Sequence, residues 1–264
     1  MGSALTTPIK AARDLIRTRA KRIPAWDIAF LLDNWDFRVA GGCFMDYTPN
    51  DYDVYPAFGV TFDHDKIRRN LKSLNGEVLF KSKNALTVRV HGKVIQFCRY
   101  YKPTLFELVV SFDFSHCQVG VEYRHTETED GGIGTPIMEG IEWTDDWMKY
   151  KMLGNSAYTG SEYPLSSLIR MNKYVKRGII KGKSYTVEAL KILRDIINRG
   201  FADYQDFKDQ LDAVDLSLLQ PDESNAAWQL FRACMNRELV AKTYTLSELE
   251  ALKTEDELRE VTDG

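Results

Sequence analysis

The alternation of apolar and polar residues divides the chain into stretches of different period. Ile9, Ala12 and Ile16 recur at helical spacing within residues 8–21, while Lys10, Arg13 and Arg17 fall on another face, predicting a basic amphipathic helix. A second helix is predicted over residues 25–35, AWDIAFLLDNW. From there to about residue 123 the period becomes that of strands. FRVAGG, DVYPAFGVTF, EVLFKS, ALTVRV, KVIQFCRY, LFELVVSFDF and QVGVEY are short, rich in β-branched and aromatic residues, and separated by Gly, Pro, Asn and Lys. One helical segment, residues 63–74, lies among them. Together they predict an α+β fold, a mixed sheet flanked by helices.

EDGGIGTP, residues 129–136, reads as a loop and a boundary. After it the helical period returns in YPLSSLIRMNKYVKRG, YTVEALKILRDIINRG, ADYQDFKDQLDAV, NAAWQLFRACMNREL and SELEALKTEDELREV. Pro164 suits a first helical turn, Gly178 and Gly200 suit C-terminal caps, and Thr186 and the Ser247/Glu250 pair suit N-terminal caps. The expected organisation is an N-terminal basic helix (1–24), a sheet domain (25–135) and an all-helical region (136–264).

Composition narrows the picture. With 264 residues, 44% hydrophobic and 28% charged, the chain has the balance of a soluble globular protein and enough length for a sizeable core. No run of eighteen apolar residues is present, so no membrane association is expected and a cytoplasmic location follows. A net charge of −3 argues against coating nucleic acid by bulk electrostatics. Cys43, Cys98, Cys117 and Cys234 stand singly, without a C-x-x-C pair, and read as buried free thiols. Residues 201–264 carry 15 acidic and 6 basic side chains, a local net of −9 that suits a solvated surface or a face docking a protein partner.

The chemistry concentrates in VAGGCFMDYTPNDYDVYP, residues 39–56. Alternate strand residues share a face, so Asp51 and Asp53 would present two carboxylates side by side, about 7 Å apart at Cα. Such a pair holds hard divalent ions such as Mg²⁺ and leaves positions open for phosphates. Gly41 and Gly42, lacking Cβ, let backbone approach a phosphate and so form a cradle for a nucleoside triphosphate. A turn entering a strand is the alternative reading of NDYD. Asp113, between Phe112 and Phe114 in a strand-like run, needs a partner to justify its place, and a metal shared with Asp51 and Asp53 would provide one.

Between Tyr163 and Val187 lie six Lys or Arg residues and no Asp or Glu. Arg170, Lys173 and Arg177 recur at helical spacing, a stripe suited to a triphosphate or a nucleic-acid backbone, with an ordinary solvated face as the alternative. The four histidines are not grouped like metal ligands, and His116 reads as a hydrogen-bonded structural residue. Tyr47, Tyr52 and Tyr55 would stack a base or simply pack.

A helix, a strand ending in Gly-Gly, Asp-x-Asp on the next strand and a later third Asp correspond to WDIAFLLDNW, FRVAGG, DYDVY and SFDF. This order resembles the nucleotidyltransferase superfamily that includes poly(A) polymerases, CCA-adding enzymes, DNA polymerase β and small antibiotic or toxin-antitoxin nucleotidyltransferases. GGCFMD looks like the Gly-Gly-x-x-Arg-Asp opening of the CCA-adding and bacterial poly(A) polymerase branch, with Asp46 matching its final Asp and Met45 standing where that branch has Arg. YPLSSLIRMNKYVKRG and FDFSHCQVGV are similar to segments of viral and phage relatives. The resemblance covers about residues 25–180.

It implies a nucleotidyltransferase-like catalytic domain over residues 25–135, using two Mg²⁺ ions, replaceable by Mn²⁺, held by Asp51, Asp53 and Asp113. Gly41, Gly42, Asp46, Arg170 and Lys173 would hold the nucleotide. The expected partners are a nucleoside triphosphate and an RNA or protein acceptor, in the host cytoplasm if the protein is phage-encoded. The alternative is an inactive fold serving as a structural or binding component of a viral or other assembly.

Overall fold

The computed structural model describes residues 6–33, 35–45, 49, 51–82, 84–126 and 134–212. All of them belong to one compact unit that ends at Val214. The helices expected beyond residue 212, the Ser247/Glu250 cap and Cys234 lie outside the described residues.

The chain opens with helices α1 (Thr6–Ala20) and α2 (Ala25–Leu31), the second ending short of the expected residue 35 where Asp33 turns to φ +57°. Strands β1 (Phe37–Ala40) and β2 (Tyr52–Pro56) follow, then α3 (His64–Ser73) and strands β3 (Glu77–Lys81), β4 (Ala85–Val90) and β5 (Lys93–Cys98). Helix α4 (Leu105–Val110), strands β6 (Val119–Arg124) and β7 (Ile137–Trp143), and helices α5 (Asp145–Leu153), α6 (Pro164–Lys176), α7 (Gly182–Arg199) and α8 (Tyr204–Asp212) complete the described elements. The strands form one seven-stranded mixed sheet in the order β3-β4-β5-β2-β1-β6-β7. Among the described residues only the β2–β5 pairing is parallel; the rest are antiparallel.

Pleating sends alternate residues to opposite faces. Phe37, Val39, Val54, Leu86, Val88, Ile95, Phe97, Val119 and Val121 bury one face against Ile16 of α1, Ile28 and Leu31 of α2 and Ile67 and Leu71 of α3. On the other face α4 lays Leu105, Leu108 and Val109 over Ala40 and Tyr55. Gly120 makes that approach possible, because a Cβ at this position would stand 2.9 Å from the Ala40 Cβ and 3.1 Å from Leu105. Buried Arg38 braces the segment entering α4: it pairs with Glu122, its register partner in β6, and donates to the carbonyls of Lys102 (2.6 Å) and Pro103 (3.0 Å).

Three local expectations are corrected. LFELVV is helical, because Thr104 and Glu107 form a capping box in which Thr104 Oγ1 accepts from the Glu107 amide and Glu107 returns the bond. The region expected to be all-helical from residue 136 begins with a strand: IMEGIEW is an edge strand on β6, and α5 follows under a Thr144 cap that accepts from the Trp147 amide. Thr186 lies inside α7, whose N-cap position is Lys181. Pro164 does open α6, and Gly178 and Gly200 take positive φ after the ends of α6 and α7.

Candidate functional site

The pleat that buries Tyr52 and Val54 turns Asp53 to the opposite face of the sheet, the one α4 packs on, and Asp51, two residues earlier, precedes it on the approach to β2. In register, Asp53 stands between Ala40 of β1 and Gln96 of β5. Immediately after Ala40 the chain turns through Gly41 at φ +97° and ψ −147°, its amide donating to the Val119 carbonyl at 3.0 Å. The Gly41 Cα faces the carboxylate directly: a Cβ there would lie 3.5 Å from Asp53 Oδ2. Gly42 then opens a single 3₁₀ turn, Gly42–Phe44. The Gly-Gly turn and the Asp-x-Asp segment therefore meet at one end of β1 and β2.

The electrostatics of this corner are unusual. Burial, then the neighbouring charge of Asp51, pushes the Asp53 carboxyl up to about 8, while Lys173 and Arg170 act against that rise. Cys43 in the turn responds to the same field: burial raises its thiol most, followed by Asp53 and Asp51. Among the described residues no hydrogen bond or ion pair engages the side chain of either Asp51 or Asp53. Two carboxylates set together without a protein cation in contact form a donor set suited to a hard divalent ion.

Asp113 is placed differently. It lies in the loop after α4, not on a strand, and is buried. Its Oδ2 accepts from Arg170 Nη2 at 2.7 Å, Arg170 Nε at 3.1 Å and Ser167 Oγ at 2.7 Å, all from α6. Among the described residues no three Asp, Glu, His or Cys side chains gather as a metal-binding group, so Asp113 is not brought into one cluster with Asp51 and Asp53. Arg170 links the two regions: it contacts Asp113 and acts through space on Asp53. Lys173, half-buried one turn further along α6, acts on Asp53 as well.

The surroundings of α6 explain two more residues. Met45, at the position where the resemblance has Arg, is buried in an apolar cluster with Phe114, Tyr158, Met171, Tyr174 and Ile192. A guanidinium there would lose its water among largely apolar side chains. His116 is an interior group: its Nδ1 lies 2.7 Å from Ser156 Oγ, its ring packs edge-on to Tyr174, and burial, with help from Lys173 and Arg177, drives it down to about 3. It stays neutral at physiological pH.

Tyr52 and Tyr55 are both buried, Tyr52 donating to the Arg22 carbonyl and Tyr55 packing edge-on to Phe112, so neither presents a ring to solvent. Asp46 and Tyr47 lie outside the described residues. The sequence reading passed over Ser167, the second donor to Asp113, and Gln96, the register neighbour of Asp53. Neither carries a motif, since strand pairing and helix docking place them.

No protein-family model and no curated protein matches the chain. Solved structures similar to it include a tRNA-processing enzyme in an apo form, at 13% identity and a TM-score of 0.42 over 86% of this chain and 63% of the other. The Thermotoga maritima CCA-adding enzyme complexed with tRNA matches at 14% identity and 0.44, over 88% of this chain and 56% of the other. A CCA-adding enzyme with CTP matches at 15% and 0.44, over 89% and 56%. The chain spans 56–63% of the length of these three structures. No helix among the described residues is long and apolar enough to cross a membrane.

Proposed function

We propose that this chain is a metal-dependent nucleotidyltransferase. In the reaction an acceptor hydroxyl attacks the α-phosphate of a nucleoside triphosphate, the bond from the α-phosphorus to the bridging oxygen breaks, and pyrophosphate leaves. The observation that carries the reading is the Asp51/Asp53 pair, two neighbouring carboxylates that no cation among the described residues contacts, faced by the bare Cα of Gly41.

Asp51 and Asp53 would hold Mg²⁺, which Mn²⁺ could replace. Bound there, the ions supply Lewis-acid chemistry, lowering the pKa of the attacking hydroxyl and neutralising charge on the leaving group. Gly41 and Gly42 leave room for phosphate oxygens close to the backbone. Lys173, held half-buried on α6, offers its ammonium to the triphosphate. Arg170 already spends its fork on Asp113, so it contributes a fixed positive charge and holds α6 against the sheet domain. We assign Asp113 a positioning role through Arg170 in place of ion binding.

The test is incubation of the protein with Mg²⁺, each α-labelled nucleoside triphosphate in turn, and a mixture of cellular RNA and protein. Label should move to an acceptor with the natural chain and not with the Asp51→Ala/Asp53→Ala variant. A second reading, a nucleotidyltransferase-like module retained as a component of a viral or other assembly, draws on the apolar burial of Met45 and the occupied Asp113. It predicts no label transfer and no nucleotide binding that depends on Asp51 or Asp53.

A further inference from the structure

The end of the sheet away from Asp53 carries a second concave site. Strands β2, β1 and β6 are neighbours, and their pairing runs from Ala40↔Asp53 and Ala40↔Gly120 at the Gly-Gly corner to Phe37↔Pro56 and Phe37↔Tyr123 at the other end. The three residue steps of β1 set these ends about 10 Å apart at strand rise. Just past the far end, Trp35, Asp36, Phe58, Arg124 and His125 line a cleft of about 480 Å³, within the range of roughly 300–1,000 Å³ that small-molecule sites occupy.

The pairing explains how these side chains meet. Carried past the strand ends, the same register sets Trp35 against Phe58 and Asp36 against Arg124. Neither pair closes on itself. Trp35 is 55% exposed and Phe58 77%, and no ring contact joins them, although neighbouring aromatic rings gain by packing together. Asp36 and Arg124 form no ion pair with each other. Asp36 accepts from the His125 amide through Oδ1 at 2.7 Å, and Arg124 meets Glu139 through Nε at 3.1 Å. Among the described residues no hydrogen bond engages Asp36 Oδ2 or the terminal nitrogens of Arg124. His125 adds another incomplete group, because its Nδ1 is shut off from water and has no hydrogen-bond partner. Polar atoms withdrawn from water are almost always paired, so an unpaired one beside a cleft marks a place left for another group to complete.

The cleft therefore offers two unstacked rings, one carboxylate oxygen and one guanidinium edge. Arg124 shares its charge with Glu139 and stands opposite Asp36, so no surplus positive charge is left to meet a dianionic phosphate. A ligand with one group of each sign is matched on both sides.

We propose that this cleft binds a free aromatic α-amino acid, with its ring against Trp35 and Phe58, its carboxylate on the terminal nitrogens of Arg124 and its ammonium on Asp36 Oδ2. The end of a peptide carries only one of the two charged groups beside its ring and leaves the other side unmet. The site uses no residue of the Asp51/Asp53 corner and is independent of the nucleotidyltransferase reading.

The test is equilibrium dialysis of the full, metal-free chain against labelled L-phenylalanine, L-tyrosine and L-tryptophan in turn. At least one should bind saturably. Arg124→Met and Asp36→Asn should each weaken that binding roughly 10- to 100-fold, and Asp36→Asn keeps an oxygen for the His125 amide. Phe58→Ala removes a ring that is largely in solvent, so it should leave the fold intact and weaken binding several-fold. Asp53→Asn should leave binding unchanged. Competition with the matching amine and acid, tyramine and 3-(4-hydroxyphenyl)propionate in the case of tyrosine, should show each to bind roughly tenfold or more weakly than the amino acid. Absence of saturable binding for all three amino acids overturns the site, as does binding that survives both Phe58→Ala and Arg124→Met or is lost in Asp53→Asn. Analogues that bind as well as the amino acid overturn recognition of the paired charges.

Discussion

Asp113 is buried in contact with Arg170, Asp53 is half-buried and feels Arg170 only through space, and the fold treats the two carboxylates in opposite ways. Asp113 receives a two-pronged guanidinium and a hydroxyl, so its charge is met where it sits. Asp53 receives another carboxylate, Asp51, and only distant cations, so its charge is resisted. A buried ion pair explains itself as structure: its cost of desolvation is offset by its partner. A pair of like charges does not, and such arrangements gather where chemistry or an ion needs them. On the proposed function, the contrast assigns Asp53 to the ion and Asp113 to positioning, where the sequence presents both simply as Asp in an aromatic setting.

The largest effect expected from this contrast is on activity. Asp53→Asn should cut label transfer by about 10²–10³-fold or more while leaving the folded state intact, as read by circular dichroism and a transfer time course. Arg170→Met reverses the pattern: it strands Asp113 without its cation and should lower unfolding stability by about 3–5 kcal/mol in a denaturant titration. Adding Asp113→Leu to that variant should restore most of the loss.

A smaller effect appears in the response to pH. The folded-state pKa of Asp53 lies above its unfolded value, so the native chain holds this proton longer than the unfolded chain does. The sign follows: the contribution to stability is full below the ordinary carboxylate range and is lost as pH rises toward about 8. Metal-free thermal midpoints of the natural chain should therefore fall across that window relative to Asp53→Asn. The smallest effect is local. Gly41→Ala forces a side chain into φ +97° and should cost about 1–3 kcal/mol by thermal melting, with a weaker nucleotide affinity.

Much of this site was legible in the sequence. Gly41-Gly42 ends a run of apolar strand residues, and Asp53 alternates with buried Tyr52 and Val54 in β2, with Asp51 just before the strand and close enough to act on Asp53. What misled was composition. Val109 and Val110 read as strand, yet the Thr104/Glu107 box starts a helix, and the strand expected beneath Asp113 became a loop aimed at α6. β7 was hidden because IMEGIEW is an edge strand with little burial to enforce alternation. The Asp113–Arg170 pair spans 57 residues and the Asp53–Gln96 pairing joins two strands with two others between them in sequence, and no local pattern encodes either.

The most direct test of the account is titration of the metal-free protein with Mn²⁺ by calorimetry, at pH 7, in two buffers of different ionisation enthalpy. Because the ion must displace the proton held on Asp53, binding should release close to one proton and tighten by up to about tenfold per pH unit as the pH approaches 8. Asp53→Asn should abolish both the heat and the proton release, and Asp113→Asn should leave them in place. Binding that is undiminished in Asp53→Asn, or lost only with Asp113, would contradict the assignment of Asp51 and Asp53 as the ion-holding pair.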